Sequence, residues 1–191
     1  MADAPAANWT AADVERLSAQ GWRVELWKGQ LLRMSPTGDV HGRVTRRLDR
    51  ALDRYVEAHS LGQLWPAEAG FDLTRPDEAR QTVLAPDIAF VRAERVPPPV
   101  EGFAHVVPDL VVETASPTQS RQEMDGKAQQ WLERGVPLVW VIWPARRQVD
   151  EWCQGDTAPH TLSPGDTLDG HEVVPGFRLP LADLFAELAE L

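Results

Sequence analysis

The sequence predicts one α/β domain built on a mixed sheet, and three observations carry the prediction. A helix with apolar residues four apart precedes two stretches rich in β-branched residues, TVLAPDIAFV (82–91) and VVPDLVVETAS (106–116). A capped amphipathic segment follows from Ser120. It leads into PLVWVIW (137–143), which is apolar on both faces, as a strand covered on both sides requires. The order β-hairpin, α, β, β, β, α, β is that of an α/β or α+β domain with a mixed sheet.

Each element has a local reason. WRVELWKGQLLRM (22–34) alternates on either side of Lys28-Gly29 and reads as a hairpin. Asp39 can cap a helix whose stripe is Val40, Val44, Leu48, Leu52 and Val56, with Gly62 just past its end. A strand is expected within 63–74. Pro97-Pro98-Pro99 interrupts the two strands at 82–91 and 106–116. Ser120 and Glu123 have capping-box spacing; Met124, Ala128, Trp131 and Leu132 form the stripe, and Gly135 and Pro137 close the helix. An antiparallel pair is expected from 147–153 and 160–174, and LADLFAELAEL as a short amphipathic helix at the carboxyl end.

The 191 residues, 43% of them apolar, can bury a substantial core, so residues 1–191 are expected to form a single domain with about the first 20 peripheral. Subtracting 29 acidic from 19 basic residues gives a net charge of −10. This disfavours nonspecific coating of nucleic acid, yet allows a local basic face or a site where bound metal supplies positive charge. The longest apolar stretch, VPLVWVIW, falls well short of the ~20 residues that span a bilayer. The amino end has neither a cationic start nor an apolar h-region, and Cys153 is the single cysteine. A soluble, cytoplasmic protein without membrane association is the expectation.

Of the 19 basic residues only Lys28 and Lys127 are lysine. In a chain this biased toward arginine, a retained lysine points to a task that guanidinium cannot perform, such as losing a proton. Lys28 sits in a turn and needs no such reason. Lys127 falls between Met124 and Trp131 at i+3 and i+4 spacing, bordering the buried stripe. Asp87 begins PDIAFV, and Glu113 lies inside the apolar run VVETA. Buried charges must be paired or bind metal. One reading has Asp87 and Glu113 gripping a hard cation while Lys127 orients or deprotonates a water. The other has a structural Glu113–Lys127 ion pair, with Asp87 merely starting a strand. Asp109 shares a strand face with Glu113 but lies ~13 Å along it, too far for a shared metal, and suits a strand start.

The ordered series PDIAFV, PDLVVETASPT and GKAQQWLERGVPLVWVIWP resembles the Uma family of restriction-endonuclease-type proteins in the PD-(D/E)XK nuclease superfamily. RVELWKGQLLRMSP, the following His41 and the closing VPGFRLPLADLF extend the likeness over most of the chain. The resemblance implies a restriction-endonuclease-like αβββαβ core with an amino-terminal hairpin and carboxyl-terminal strands. It also implies Mg²⁺ or Mn²⁺ as cofactor, DNA as partner and substrate, and a homodimer. Asp87 matches the PD aspartate and Glu113 the (D/E) carboxylate, both as metal ligands. The lysine expected two residues after Glu113 is absent, because Ala115 stands there. Related families resemble this chain in carrying that lysine on the next helix, where Lys127 stands. Gln30 and Trp143 depart from the family pattern, which has Glu and Asp at those places.

His41 is a candidate acid or phosphate contact, or else a local cap. Glu25 is a candidate for positioning metal or lysine. Arg43, Arg46, Arg47, Arg50 and Arg54 could follow a phosphate backbone, but Asp49, Asp53 and Glu57 interleave, which favours a solvated, salt-bridged face. Trp131 and Trp140 are expected to fill core; Trp65 or Trp152 could stack on bases or line a dimer interface. The leading function is a Mg²⁺-dependent endonuclease hydrolysing DNA phosphodiesters. The alternatives are a binding or assembly protein that keeps the nuclease fold with a decayed site, and a metal-dependent hydrolase of a small phosphorylated substrate.

Overall fold

The computed structural model describes residues 8–34 and 36–186. In chain order the elements begin with α1 (Ala11–Ala19), β1 (Val24–Trp27), β2 (Gln30–Arg33), α2 (Asp39–His59) and β3 (Gly62–Pro66). They continue with β4 (Phe71–Asp72), β5 (Val83–Leu84), β6 (Ile88–Arg92), β7 (Leu110–Thr114) and α3 (Arg121–Glu133). The last are β8 (Leu138–Trp143), β9 (Gln148–Cys153), β10 (His160–Leu162), β11 (Thr167–Asp169), β12 (Arg178–Pro180) and α4 (Leu181–Leu184). They fall into two units.

The smaller unit draws on Met1–Pro36, Glu68–Ala85 and Pro97–Val106. Its sheet runs β2-β1-β5-β4. The hairpin turns through Lys28 and Gly29, both with positive φ (48° and 77°), which is the primed turn that matches strand twist. α1 starts at Thr10 with a reciprocal capping box to Asp13, and its Val14 packs with Val24, Leu26 and Val83.

The larger unit draws on Thr37–Ala67, Pro86–Val96 and Val107–Leu191. It contains α2, β3, β6, β7, α3 and β8 in succession, the αβββαβ order, within a six-stranded sheet ordered β10-β9-β8-β7-β6-β3. Only β7 and β8 run parallel, and α3 is the crossover that connects them. Side chains alternate along these strands. Ile88, Phe90, Leu110, Val112, Leu138, Trp140 and Ile142 meet the Val44, Leu48, Leu52 and Val56 stripe of α2. The other face, with Val111, Glu113, Val139 and Val141, lies toward α3, whose Met124, Ala128, Trp131 and Leu132 are buried.

Four expectations change. The run 82–91 is two strands: β5 pairs with β1 and β4, β6 pairs with β3 and β7, and Pro86 between them has no N–H with which to continue a ladder. In the carboxyl-terminal region β10 pairs with β9 as expected, but β11 pairs with the unforeseen β12. The described part of the terminal helix is the short α4, and residues 187–191 lie outside the described residues. Trp152 is only 2% exposed, so it fills core and is not available for stacking on a base. Along α2, Arg43 pairs with Asp39 and Arg47 donates to the Asp183 carbonyl.

Gly62 opens β3 against β6 at very close range. A Cβ there would stand 2.1 Å from the Val91 carbonyl oxygen. Gly62→Ala is expected to lower unfolding free energy by about 1–3 kcal/mol. Gly42→Ala, in open space on α2, is expected to raise it by about 0.5–1 kcal/mol. Denaturant titration of both variants measures the contrast.

Candidate active site

Glu113 is the fourth residue of β7, on the face toward α3, and is 3% exposed. An ionised carboxyl there needs donors. α3 supplies two from positions one turn apart: Lys127 Nζ donates to Glu113 Oε2 at 2.9 Å, and Trp131 Nε1 donates to Oε1 at 2.9 Å. Both carboxylate oxygens are therefore held by one helix, with a charge-assisted bond on one side. The Ser120–Glu123 capping box fixes where that helix begins and so sets the height of Lys127 over the strand.

Asp87 stands immediately before β6, at the carboxyl end of the antiparallel β7. Its Oδ2 accepts the Thr114 N–H at 2.7 Å. An uninterrupted antiparallel ladder would give that N–H to a backbone carbonyl. Asp87 thus takes a place in the ladder beside the peptide that follows Glu113. Its other oxygen lies 3.3 Å from His41 Nε2 on the first turn of α2, and the side chain keeps 15% exposure. A carboxylate can only accept, so the proton of this contact belongs to His41 Nε2. His41 Nδ1 is buried and has no hydrogen-bond partner among the described residues. Thr45 and Thr114 join hydroxyls at 2.8 Å, which ties α2 to the end of β7.

The larger unit therefore brings Asp87, Glu113, His41 and Lys127 to one end of its sheet, linked through the Glu113–Thr114 peptide. Glu25 belongs to the smaller unit, where it is 1% exposed and its Oε1 accepts the Ala85 N–H at 3.0 Å. Asp109 holds the start of β7, accepting the Arg92 N–H at 2.9 Å and Arg95 Nη1 at 2.5 Å.

Two features went unread in the sequence. Trp131 was expected as core filler, but its indole N–H also serves Glu113; the signal was its i+4 distance from Lys127, the spacing that singled out Lys127 itself. The second is Asp150, which register places in one row with Glu113, Val141 and Thr161. It is fully buried and accepts Arg121 Nη1 at 2.6 Å, Trp143 Nε1 at 2.6 Å and the Thr161 hydroxyl at 2.5 Å. Nearby Asp125 has its carboxyl pushed above the usual carboxylate range, mainly by burial and further by the Asp150 charge, with Arg121 opposing.

As donors for a divalent cation, Asp87 and Glu113 are hard oxygen ligands of the kind Mg²⁺ takes, with waters completing its shell. No cluster of three or more His, Cys, Asp or Glu side chains with metal-holding geometry occurs among the described residues. The donor set thus fits a cation held by two carboxylates and water, not an all-protein cage. Asp87 keeps 15% side-chain exposure, with Oδ2 on the Thr114 N–H and Oδ1 beside His41. Glu113 keeps both oxygens hydrogen-bonded to α3.

The model of the Uma2 family, described as "Putative restriction endonuclease", matches residues 11–182. The chain belongs to the Uma2 family. A solved structure from Anabaena variabilis, titled as a putative nuclease belonging to DUF820, shares the fold of this Uma2 protein. The TM-score is 0.74 at 18% identity, over 86% of this chain and 90% of that one. No curated protein matches the chain. No described helix is long and apolar enough to cross a membrane.

Two stability measurements test these contacts. Lys127→Met leaves the Glu113 charge without its cation and is expected to cost about 3–5 kcal/mol, most of it recovered in Lys127→Met/Glu113→Gln. Asp125 has its pKa raised on folding, so ionising it weakens the fold as pH climbs through that value. Asp125→Asn is expected to melt higher than wild type at neutral pH, with the gap closing on acidification.

Proposed function

We propose that this Uma2 protein is a divalent-metal-dependent nuclease that hydrolyses phosphodiester bonds in DNA. The observation that carries the reading is the convergence of Asp87, Glu113 and Lys127 on one peptide at the end of β7. Asp87 and Glu113 would hold Mg²⁺ or Mn²⁺. The bound cation supplies Lewis-acid stabilisation of charge building on the phosphate.

The chain's own residues do the rest. Asp87 is held through Oδ2 on the Thr114 N–H and through Oδ1 beside His41, so its carboxylate keeps a fixed direction. Lys127, held beside Glu113, would orient an attacking water or a phosphate oxygen through its ammonium. His41 steadies Asp87 through Nε2, a positioning role. Cutting both strands of a duplex suits two copies of the chain, so a homodimer forms part of the proposal; sedimentation measures it.

One observation favours a second reading, a nuclease fold that binds without cutting: both oxygens of Glu113 are already hydrogen-bonded. Plasmid nicking in Mg²⁺ or Mn²⁺ decides between the two. Asp87→Ala, Glu113→Ala and Lys127→Met are each expected to reduce cleavage at least a hundredfold. Calorimetry is expected to show Mn²⁺ binding that Asp87→Ala abolishes. Cleavage untouched by these substitutions would refute the site, and absence of Asp87-dependent metal binding would support the binding-only reading.

A further inference from the structure

Trp143 ends β8 on the face that carries Glu113, since Glu113 pairs with Val141 in the parallel register. Two residues along and one strand across puts its Cα about 8 Å from that of Glu113. Two guanidinium groups lie on its indole: Arg121 at 5.1 Å from the ring centroid and Arg146 at 4.9 Å. Their situations differ. Arg121 is ion-paired at 2.6 Å with buried Asp150, and Asp125 bears on it as well. Arg146 is exposed, and among the described residues it has the Trp143 ring and no ion pair.

Arg146 is also built to stay in place. It closes a single 3₁₀ turn, Pro144–Arg146, whose Pro144 is buried and whose next residue, Arg147, is left-handed at φ 52°. Beneath it the indole is anchored by its N–H on Asp150. A guanidinium laid flat on an aromatic ring keeps its in-plane N–H donors free at the edge, and that planar fork matches phosphate oxygens. With a guanidinium on it, that side of the Trp143 ring is closed to a stacking base. In a chain of net charge −10, this is a fixed, uncommitted cation at the sheet end that carries Asp87 and Glu113.

We infer that Arg146, held on Trp143, binds a backbone phosphate of a DNA strand next to the one cleaved, and that Arg121 anchors the platform beneath it. The inference rests on the nuclease reading of the Asp87–Glu113 site.

The test is fluorescence anisotropy of a labelled short DNA duplex titrated with full-length protein in EDTA, over a range of NaCl concentrations. Arg146→Glu is expected to weaken binding about tenfold at low salt. It should also lower the slope of log K against log[salt] by about one, the share of one phosphate contact. Arg146→Lys should keep most of the slope. Arg146 touches one ring at the surface, so thermal melts of the variants should match wild type. Unchanged affinity and slope in Arg146→Glu, or no duplex binding by wild type, overturns the inference. The two proposals fail separately. Arg146-dependent binding without cleavage in Mg²⁺ or Mn²⁺ sinks the nuclease reading alone. Cleavage by Arg146→Glu with unchanged KM and salt dependence sinks the phosphate contact alone.

Discussion

Glu113 sits in the middle of an apolar strand with both carboxylate oxygens held by α3, and much of the larger unit is arranged around that interaction. Taking a carboxylate out of water costs several kcal/mol unless donors replace the lost hydration. Within β7 nothing can do so, because the backbone N–H groups are spent on the ladder and, at Thr114, on Asp87. The donors come from Lys127 and Trp131, one turn apart on a helix whose start is pinned by Ser120 and Glu123. The crossover from β7 to β8 therefore has an electrostatic anchor as well as an apolar stripe.

The same end of the sheet is where the regular pattern stops. Just before β6 begins, the Thr114 N–H is accepted by the Asp87 side chain and not by a backbone carbonyl. An acid is thereby fixed against the strand without being buried. Openings at the carboxyl ends of parallel strands are where α/β sheets place their ligands, since chain direction diverges there and leaves a crevice. Here β7 and β8 are the parallel pair, and α2 closes on that end through His41 and Thr45.

Two strands away, Asp150 repeats the problem of Glu113 with a different solution: an arginine, an indole and a hydroxyl satisfy it completely. Trp143 closes β8 on the face that carries Glu113, and its N–H turns toward Asp150. The Trp143 ring carries two guanidinium groups, those of Arg121 and Arg146.

Much of this architecture was legible from residue patterns. Spacing of four along 40–56, the capping box at Ser120 and the two-sided apolar run at 137–143 each dictate an element through local physics, and they dictated the αβββαβ order. The candidates Asp87, Glu113 and Lys127 were legible too, because a charge in an apolar run needs a partner. Partner identity was not. Periodicity assigns a residue to a face but does not say which atom on the facing element will reach it, so Trp131 read as filler and Asp150 went unseen. Breaking 82–91 into strands of two sheets likewise required the pairing partners, since a strand's sheet is chosen by what lies beside it. Local sequence determined which groups had to be satisfied; only the tertiary structure decided by whom, because hydrogen bonds between elements depend on register, crossing and height, which no single segment encodes.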